Sequence, residues 1–322
     1  MSKPGRGLLP VKAVVLAVAA LVLAACDPPA VTLPVVVPAP HPQSTPTAVP
    51  ETAASAKMRA YYAQVQQSLL SQGLLRTDMG GIDTPFTDRM LTDNFLKIAL
   101  YEEYARGQIT TTPTANPIRL VRWAQPVRMA LIFGASVPAA RRTTDTALIA
   151  SYLARLARLT GHAVGLDDRN PNFWVHIGSI DERAALGPVL TTELTGLTQG
   201  QISSVTAMDR NTYCQVLDQS DPVTSTYVGA AAVIPSEHPD LLRLSCFHEE
   251  LAQALGLPND SNAARPSIFN DDQEFALLTR QDELMLRILY DPALRPGMDE
   301  VEARPVVEML ATRLMSGGNV GG

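Results

Sequence analysis

Histidine is scarce in this chain: five among 322 residues, at positions 41, 162, 176, 238 and 248, with no two of them four apart. That spacing excludes an H-E-x-x-H metal helix, which needs two imidazoles one turn apart on one face. A G-x-S-x-G elbow, a Walker loop and a G-x-G-x-x-G turn are also missing, since Ile177-Gly178-Ser179-Ile180 lacks the second glycine. Cysteine is limited to three. Cys246 stands two residues from His248, a separation at which helical side chains do not face each other, which disfavours a cysteine nucleophile. Positive charge is not in excess either, with 26 Lys and Arg against 32 Asp and Glu and a net charge of −6. Nucleic-acid binding, which rests on phosphate neutralisation, is therefore not expected. Arg119, Arg122 and Arg128, then Arg141, Arg142, Arg155 and Arg158, are read as solvated faces of strands and helices.

Long apolar runs are short of membrane length. Ala13 to Ala25 is unbroken, but a spanning helix needs roughly 20 apolar residues. With Lys3, Arg6 and Lys12 before it and Leu23-Ala24-Ala25-Cys26 at its end, the run reads as a lipoprotein signal peptide over 1–25, with Cys26 lipidated. Two or more acyl chains, at about 0.8 kcal/mol per buried methylene, suffice for stable anchoring in a lipid bilayer. Removal of the three cations takes the charge from −6 to −9. Asp27 resembles an inner-membrane retention signal, so the expected location is the envelope of a Gram-negative bacterium, lipid-anchored and facing the periplasm. Residues 26–51 hold eight prolines among Val, Ala, Thr and Ser and are expected to be an extended, disordered leash; His41 within it is expected to have no role. With Cys26 lipidated, Cys214 and Cys246 are left to form one disulfide in an oxidising compartment.

Beyond the leash the pattern is α+β. Ala53 to Gln72 reads as a helix stopped by Gly73, and Asp93 to Arg106 as a second helix closed by Gly107. Arg119 to Phe133 reads as a strand and Thr144 to Thr160 as a helix ended by Gly161. Asn172 to Ile177 reads as a strand reached by a crossover. Tyr213 to Leu217 and Tyr227 to Pro235 add two strands before a helix that opens near Pro239-Asp240. Thr279 to Asp282 resembles a capping box, and Pro305 is expected at the first turn of a last helix to Met315. The segments expected are a helical region over 52–117, one domain over 118–298, a helix over 299–315 and a disordered tail over 316–322.

The informative block is His248 to Asp260. Laid on the frame H-E-x-x-H-x-x-G-x-x-H, Glu249 and Gln253 replace two histidines. Glu250 keeps the general-base position, Gly256 keeps the turn, and Asn259 followed by Asp260 takes the third ligand position. At about 100° per residue Leu244, Phe247, Leu251 and Leu255 form an apolar stripe with His248 at its edge, while Glu249, Gln253 and Gly256 face the other way. His248 is thus expected to be a packing histidine. His162, His176 and His238 are read as structural, with His176 the one candidate for facing the same cleft.

Four features together resemble the bacterial family catalogued as domain of unknown function 2927. They are the lipobox, a cysteine just before Glu-Glu-x-x-Gln-x-x-Gly-Leu-x-Asn-Asp, Ser267-Ile268-Phe269-Asn270-Asp271, and Ile288-Leu289-Tyr290-Asp291-Pro292. The resemblance covers roughly Arg119 to Met298 and implies a zincin-like, metzincin-like domain with a twisted mixed sheet packed on helices. It carries no established activity. It places Phe269 where working metzincins have a methionine.

One carboxylate and two amides are a poor donor set for zinc, so no zinc cofactor is expected. Oxygen donors suit calcium or magnesium better, with Asp260, Asp271 and Asp272 as further candidates, although turn-capping acids are the plainer reading. Two readings follow. In the favoured one the domain is catalytically degenerate and binds an envelope protein or peptide. In the alternative it is an unconventional peptidase or cell-wall hydrolase using Glu250 as general base. A Glu249–Glu250 acid–base pair is disfavoured because neighbours on a helix diverge.

Overall fold

In the computed structural model the residues described are 50–102 and 116–317, within one compact unit, Thr47–Gly322. The signal peptide, Cys26, Asp27, most of the leash, the expected end of the second helix at Arg106-Gly107 and the tail from 318 lie outside the described residues. Among the described residues no helix is long and apolar enough to cross a membrane.

Thr52 caps helix α1 (Ala53–Ser71) by accepting from Ser55 N at 3.1 Å, and Gly73, at φ +77°, follows its end. Helix α2 (Asp88–Ala99) starts earlier than expected because Thr87 caps it. It stops earlier because the chain turns at Leu100 into strand β1 (Tyr101–Glu102), which pairs antiparallel with β2 (Asn116–Pro117). The single strand expected over Arg119 to Phe133 is two, β3 (Arg122–Trp123) and β4 (Val127–Phe133), parted at Pro126, which has no N–H for a ladder.

Helix α3 (Ala139–Thr160) ends at left-handed Gly161, and strands β5 (Val164–Leu166) and β6 (Phe173–Gly178) follow. Three short helices, α4 (Ile180–Ala184), α5 (Gly187–Glu193) and α6 (Gln199–Thr206), fill a stretch for which no element was expected; α4 and α6 open on capping boxes, Ser179 with Glu182 and Thr198 with Gln201. Strands β7 (Gln215–Asp221) and β8 (Thr226–Pro235) lead to α7 (Asp240–Gln253). The capping box at Thr279 and Asp282 opens α8 (Arg280–Leu289) as expected. The last helix, α9 (Glu300–Gly317), begins before Pro305, which lies inside it; the Asp299 carboxylate accepts from Glu302 N at 3.0 Å and sets the start.

The main sheet runs β3-β8-β6-β4-β5, all parallel, and β7 pairs with β8 antiparallel. The expected crossover is present: β4 and β6 pair in parallel, with Leu131 opposite Val175. Parallel strands need cover on both faces. Phe173, Val175 and Ile177 enter the larger core with Met129, Phe247 and Leu251, whereas Trp174 packs on the other side with Leu190, Leu194 and Val205.

Helices α2 and α9 lie together: Thr312 Oγ1 donates to Asp88 Oδ2 at 2.8 Å and Arg304 reaches Asp93 at 3.1 Å. Several arginines serve the fold. Arg122 donates to the carbonyls of Leu289, at the end of α8, and of Asp291 and Leu294 beyond it, Arg142 donates to those of Gly134 and Val137, and Arg155 pairs with Glu283.

Candidate functional site

Helix α7 carries the block singled out in the sequence. Its apolar side, with Phe247 and Leu251, enters the core. His248, 7% exposed, follows that side: its Nδ1 accepts from Leu278 N at 3.1 Å, and its ring stacks on Tyr152 with centroids 4.0 Å apart. The Tyr152 hydroxyl donates to the His248 carbonyl at 2.7 Å. Burial, aided by the Arg155 charge, pushes this imidazole down to about 3, so it is neutral and committed to packing.

Glu249 and Gln253 are half-buried, while Glu250 is only 4% exposed. Gln253 Nε2 donates to Asp260 Oδ1 at 3.2 Å. The helix ends under two clamps, Trp123 Nε1 donating to Ala254 O at 2.7 Å and the Tyr290 hydroxyl to Leu255 O at 2.9 Å. Gly256 then turns at φ +123°, where a Cβ would collide with the Val121 carbonyl. Past the turn Asn259 faces α2. Its Nδ2 donates to Lys97 O at 2.8 Å, and its backbone N–H donates to Ile98 O at 3.2 Å.

This donor set does not fit zinc. Glu249 offers a carboxylate, but positions 253 and 259 offer only neutral amides, their nitrogens donating to Asp260 and Lys97, and imidazole or thiolate is lacking at all three. Asp272 Oδ1 accepts from Glu274 N at 2.9 Å, a turn cap, and the Asp271 carboxyl is pushed up by burial and by Asp272. Among the described residues no group of three or more His, Cys, Asp or Glu is placed to hold a metal. Phe269 is fully buried in the main core. Beside the end of the block a surface cavity of about 530 Å³ is lined, among the described residues, by Asp93, Lys97, Tyr101, Asn259, Asp260 and Arg304.

The expected disulfide joins Cys214 to Cys246, with Cα atoms 5.9 Å apart, and pins α7 to the segment before β7. His176 does not face α7. It lies on the Trp174 side of β6, because side chains alternate along a strand, and its Nε2 meets Glu193 of α5 at 2.8 Å. His162 bonds Gln125 O through Nε2 at 2.8 Å, and burial lowers its basicity.

One polar cluster escaped sequence reasoning. Glu237 and His238, fully buried at the carboxyl end of β8, lie with buried Arg183 of α4 beneath α1. The available signal was an acid and a histidine directly after the most apolar strand.

A model of the family described as "Protein of unknown function (DUF2927)" matches residues 88–309. No curated protein and no solved structure matches the chain.

Proposed function

The chain belongs to that family, and from this premise we propose that it is a lipid-tethered envelope protein whose zincin-like domain binds a protein or peptide rather than cutting one. The observation that carries the reading is the Asn259 clasp: the position that a third ligand would occupy donates its amide to Lys97 O at 2.8 Å. Zinc favours imidazole, thiolate or carboxylate donors, and a neutral amide tied by its nitrogen to a backbone carbonyl is none of these.

The strand arrangement supports the zincin-like part. Leaving aside short β3, the spatial order is β5-β4-β6-β8-β7 with only the edge strand β7 antiparallel, and the motif helix follows β8 directly. A mostly parallel sheet with one antiparallel edge strand, set before its motif helix, is compatible with the mixed sheet that the resemblance implies. The tether rests on the lipobox ending at Cys26 and the proline-rich leash after it. The burial of Glu250 weighs against the hydrolase reading, since a general base must reach a water and a substrate.

Metal analysis of the full chain carrying Cys26→Ala tests the reading. Less than a tenth of an equivalent of zinc after dialysis against excess zinc is expected. Stoichiometric zinc lost on Glu249→Ala, or peptide or peptidoglycan hydrolysis lost on Glu250→Gln, would overturn it.

A further inference from the structure

Helix α1 precedes the stretch that matches the family, and it buries only Ser55 and Tyr62. Met58, Val65 and Leu69 are half-buried, and the rest of its hold on the domain is polar. Thr52 donates to Asp181 at 2.5 Å, Ser55 to Glu237 at 2.9 Å and Tyr61 to Asn211 at 2.9 Å, while Gln66 Oε1 accepts from Leu242 N at 3.0 Å. The Thr52 and Tyr61 bonds are exposed, where water replaces them at little net cost, whereas the Ser55 bond is buried and the Gln66 bond part-buried, so these two are the ones that opening must break.

What lies beneath is unusual for a protein interior. Glu237, Arg183 and His238 are each at most 2% exposed. Glu237 Oε2, Arg183 Nε and His238 Nε2 have no hydrogen-bond partner among the described residues. A buried polar group without a partner disfavours the closed state, and opening relieves this when water reaches the cluster. The cluster lies at the carboxyl ends of β6 and β8, the edge at which open parallel sheets present ligand sites.

We propose that α1 is a detachable cover over Glu237, Arg183 and His238, and that protonation of His238 releases it. The His238 ring is enclosed on every side. From α1 comes Tyr62, edge-on with centroids 4.2 Å apart, and from the segment before β7 comes Tyr213 at 6.4 Å. From α7 come Cys246 Sγ at 3.8 Å from Nδ1 and the Arg243 guanidinium, whose Nη1 donates to the His238 carbonyl. From α4 comes the Arg183 charge, and Glu237 precedes His238 in the chain.

A proton on Nε2 would be a buried donor with no acceptor, facing two guanidinium charges; burial and both arginines hold this imidazole well below its usual range. With α1 closed His238 stays neutral; with α1 open water reaches the ring and its proton affinity rises towards the ordinary imidazole range, although Arg183 and Arg243 remain beside it, so acid favours the open state by at most tenfold per pH unit. Between pH 7.5 and 5.5 the open population rises, by up to about tenfold.

The Leu242 amide reports opening directly, because its acceptor is Gln66 of α1. Hydrogen exchange of the full chain, corrected for intrinsic rates, is expected to show Leu242 protection falling between pH 7.5 and 5.5, by up to about tenfold. Leu131 in β4 should keep its protection. His238→Phe should abolish the pH response, and Tyr62→Ala should lower Leu242 protection at both pH values. Equal Leu242 protection at the two pH values, or a loss shared equally by Leu131, would overturn the proposal even if the Phe variant failed to fold.

Discussion

Asn259 and Lys97 are joined by a side-chain amide donating to a backbone carbonyl at 2.8 Å, and the adjoining bond from Asn259 N to Ile98 O at 3.2 Å makes the loop after α7 an extension of the end of α2. Asn259→Ala leaves the Lys97 carbonyl without that donor and should destabilise the fold by about 1–3 kcal/mol in urea denaturation. Asn259→Asp should be at least as damaging, because it sets a carboxylate against a carbonyl. Equal midpoints for the parent and both variants would show the clasp to be dispensable.

Gly256 lies at φ +123° against the Val121 carbonyl. An alanine there meets both backbone strain and a collision, so Gly256→Ala should lower stability by about 2–4 kcal/mol. Thermal unfolding followed by circular dichroism measures it, and an unchanged Tm would contradict the turn as described.

His248 is neutral in the folded state, with its proton affinity down at about 3 from 6.5. The unfolded chain therefore binds the proton first as pH falls. The stability this provides is complete above pH 6.5 and is lost on the way down towards 3, at up to about 1.4 kcal/mol per pH unit. His248→Asn keeps an acceptor for Leu278 N and removes the titration. The stability gap between parent and variant should narrow by about 2 kcal/mol from pH 6.5 to 5. A constant gap would mean that folding leaves the proton affinity of this imidazole unlowered.

Cys214–Cys246 closes a loop with a sequence separation of 32. Replacing both residues by serine should cost about 3–4 kcal/mol in the chain-entropy description. Reduction of the parent by dithiothreitol should give the same shift in denaturation midpoint. If neither treatment moves it, the pairing contributes nothing to stability.

The parts legible in the sequence were those with local punctuation. Pro239-Asp240 marked the start of α7, Gly256 the turn after it, Gly73 and Gly161 two helix ends, alternating apolar residues marked β4 and β6, and a continuous apolar run marked β8. Misreadings came where tertiary context decided. The residues after Ala99 look helical in composition, yet β1 forms because β2 is there to pair with it. β5 has three residues and no period of its own; it exists as the parallel neighbour of Val127, Arg128 and Met129. Helices α4 and α6 did carry a signal, Ser179-x-x-Glu182 and Thr198-x-x-Gln201, which short apolar runs obscured. At the candidate site, the replacement of ligand types at 249, 253 and 259 was readable, but the direction of the Asn259 amide was not, because its acceptor lies 162 positions earlier in the chain.

The hydroxyl-to-carboxylate bond from Thr312 to Asp88 puts the first turn of α2 next to the last turns of α9. The body between them thus enters and leaves at neighbouring points, like a bead threaded through one hole. Such geometry suits a guest domain: spliced into a surface loop of another protein, or rejoined end to end and cut elsewhere, this segment should keep its architecture.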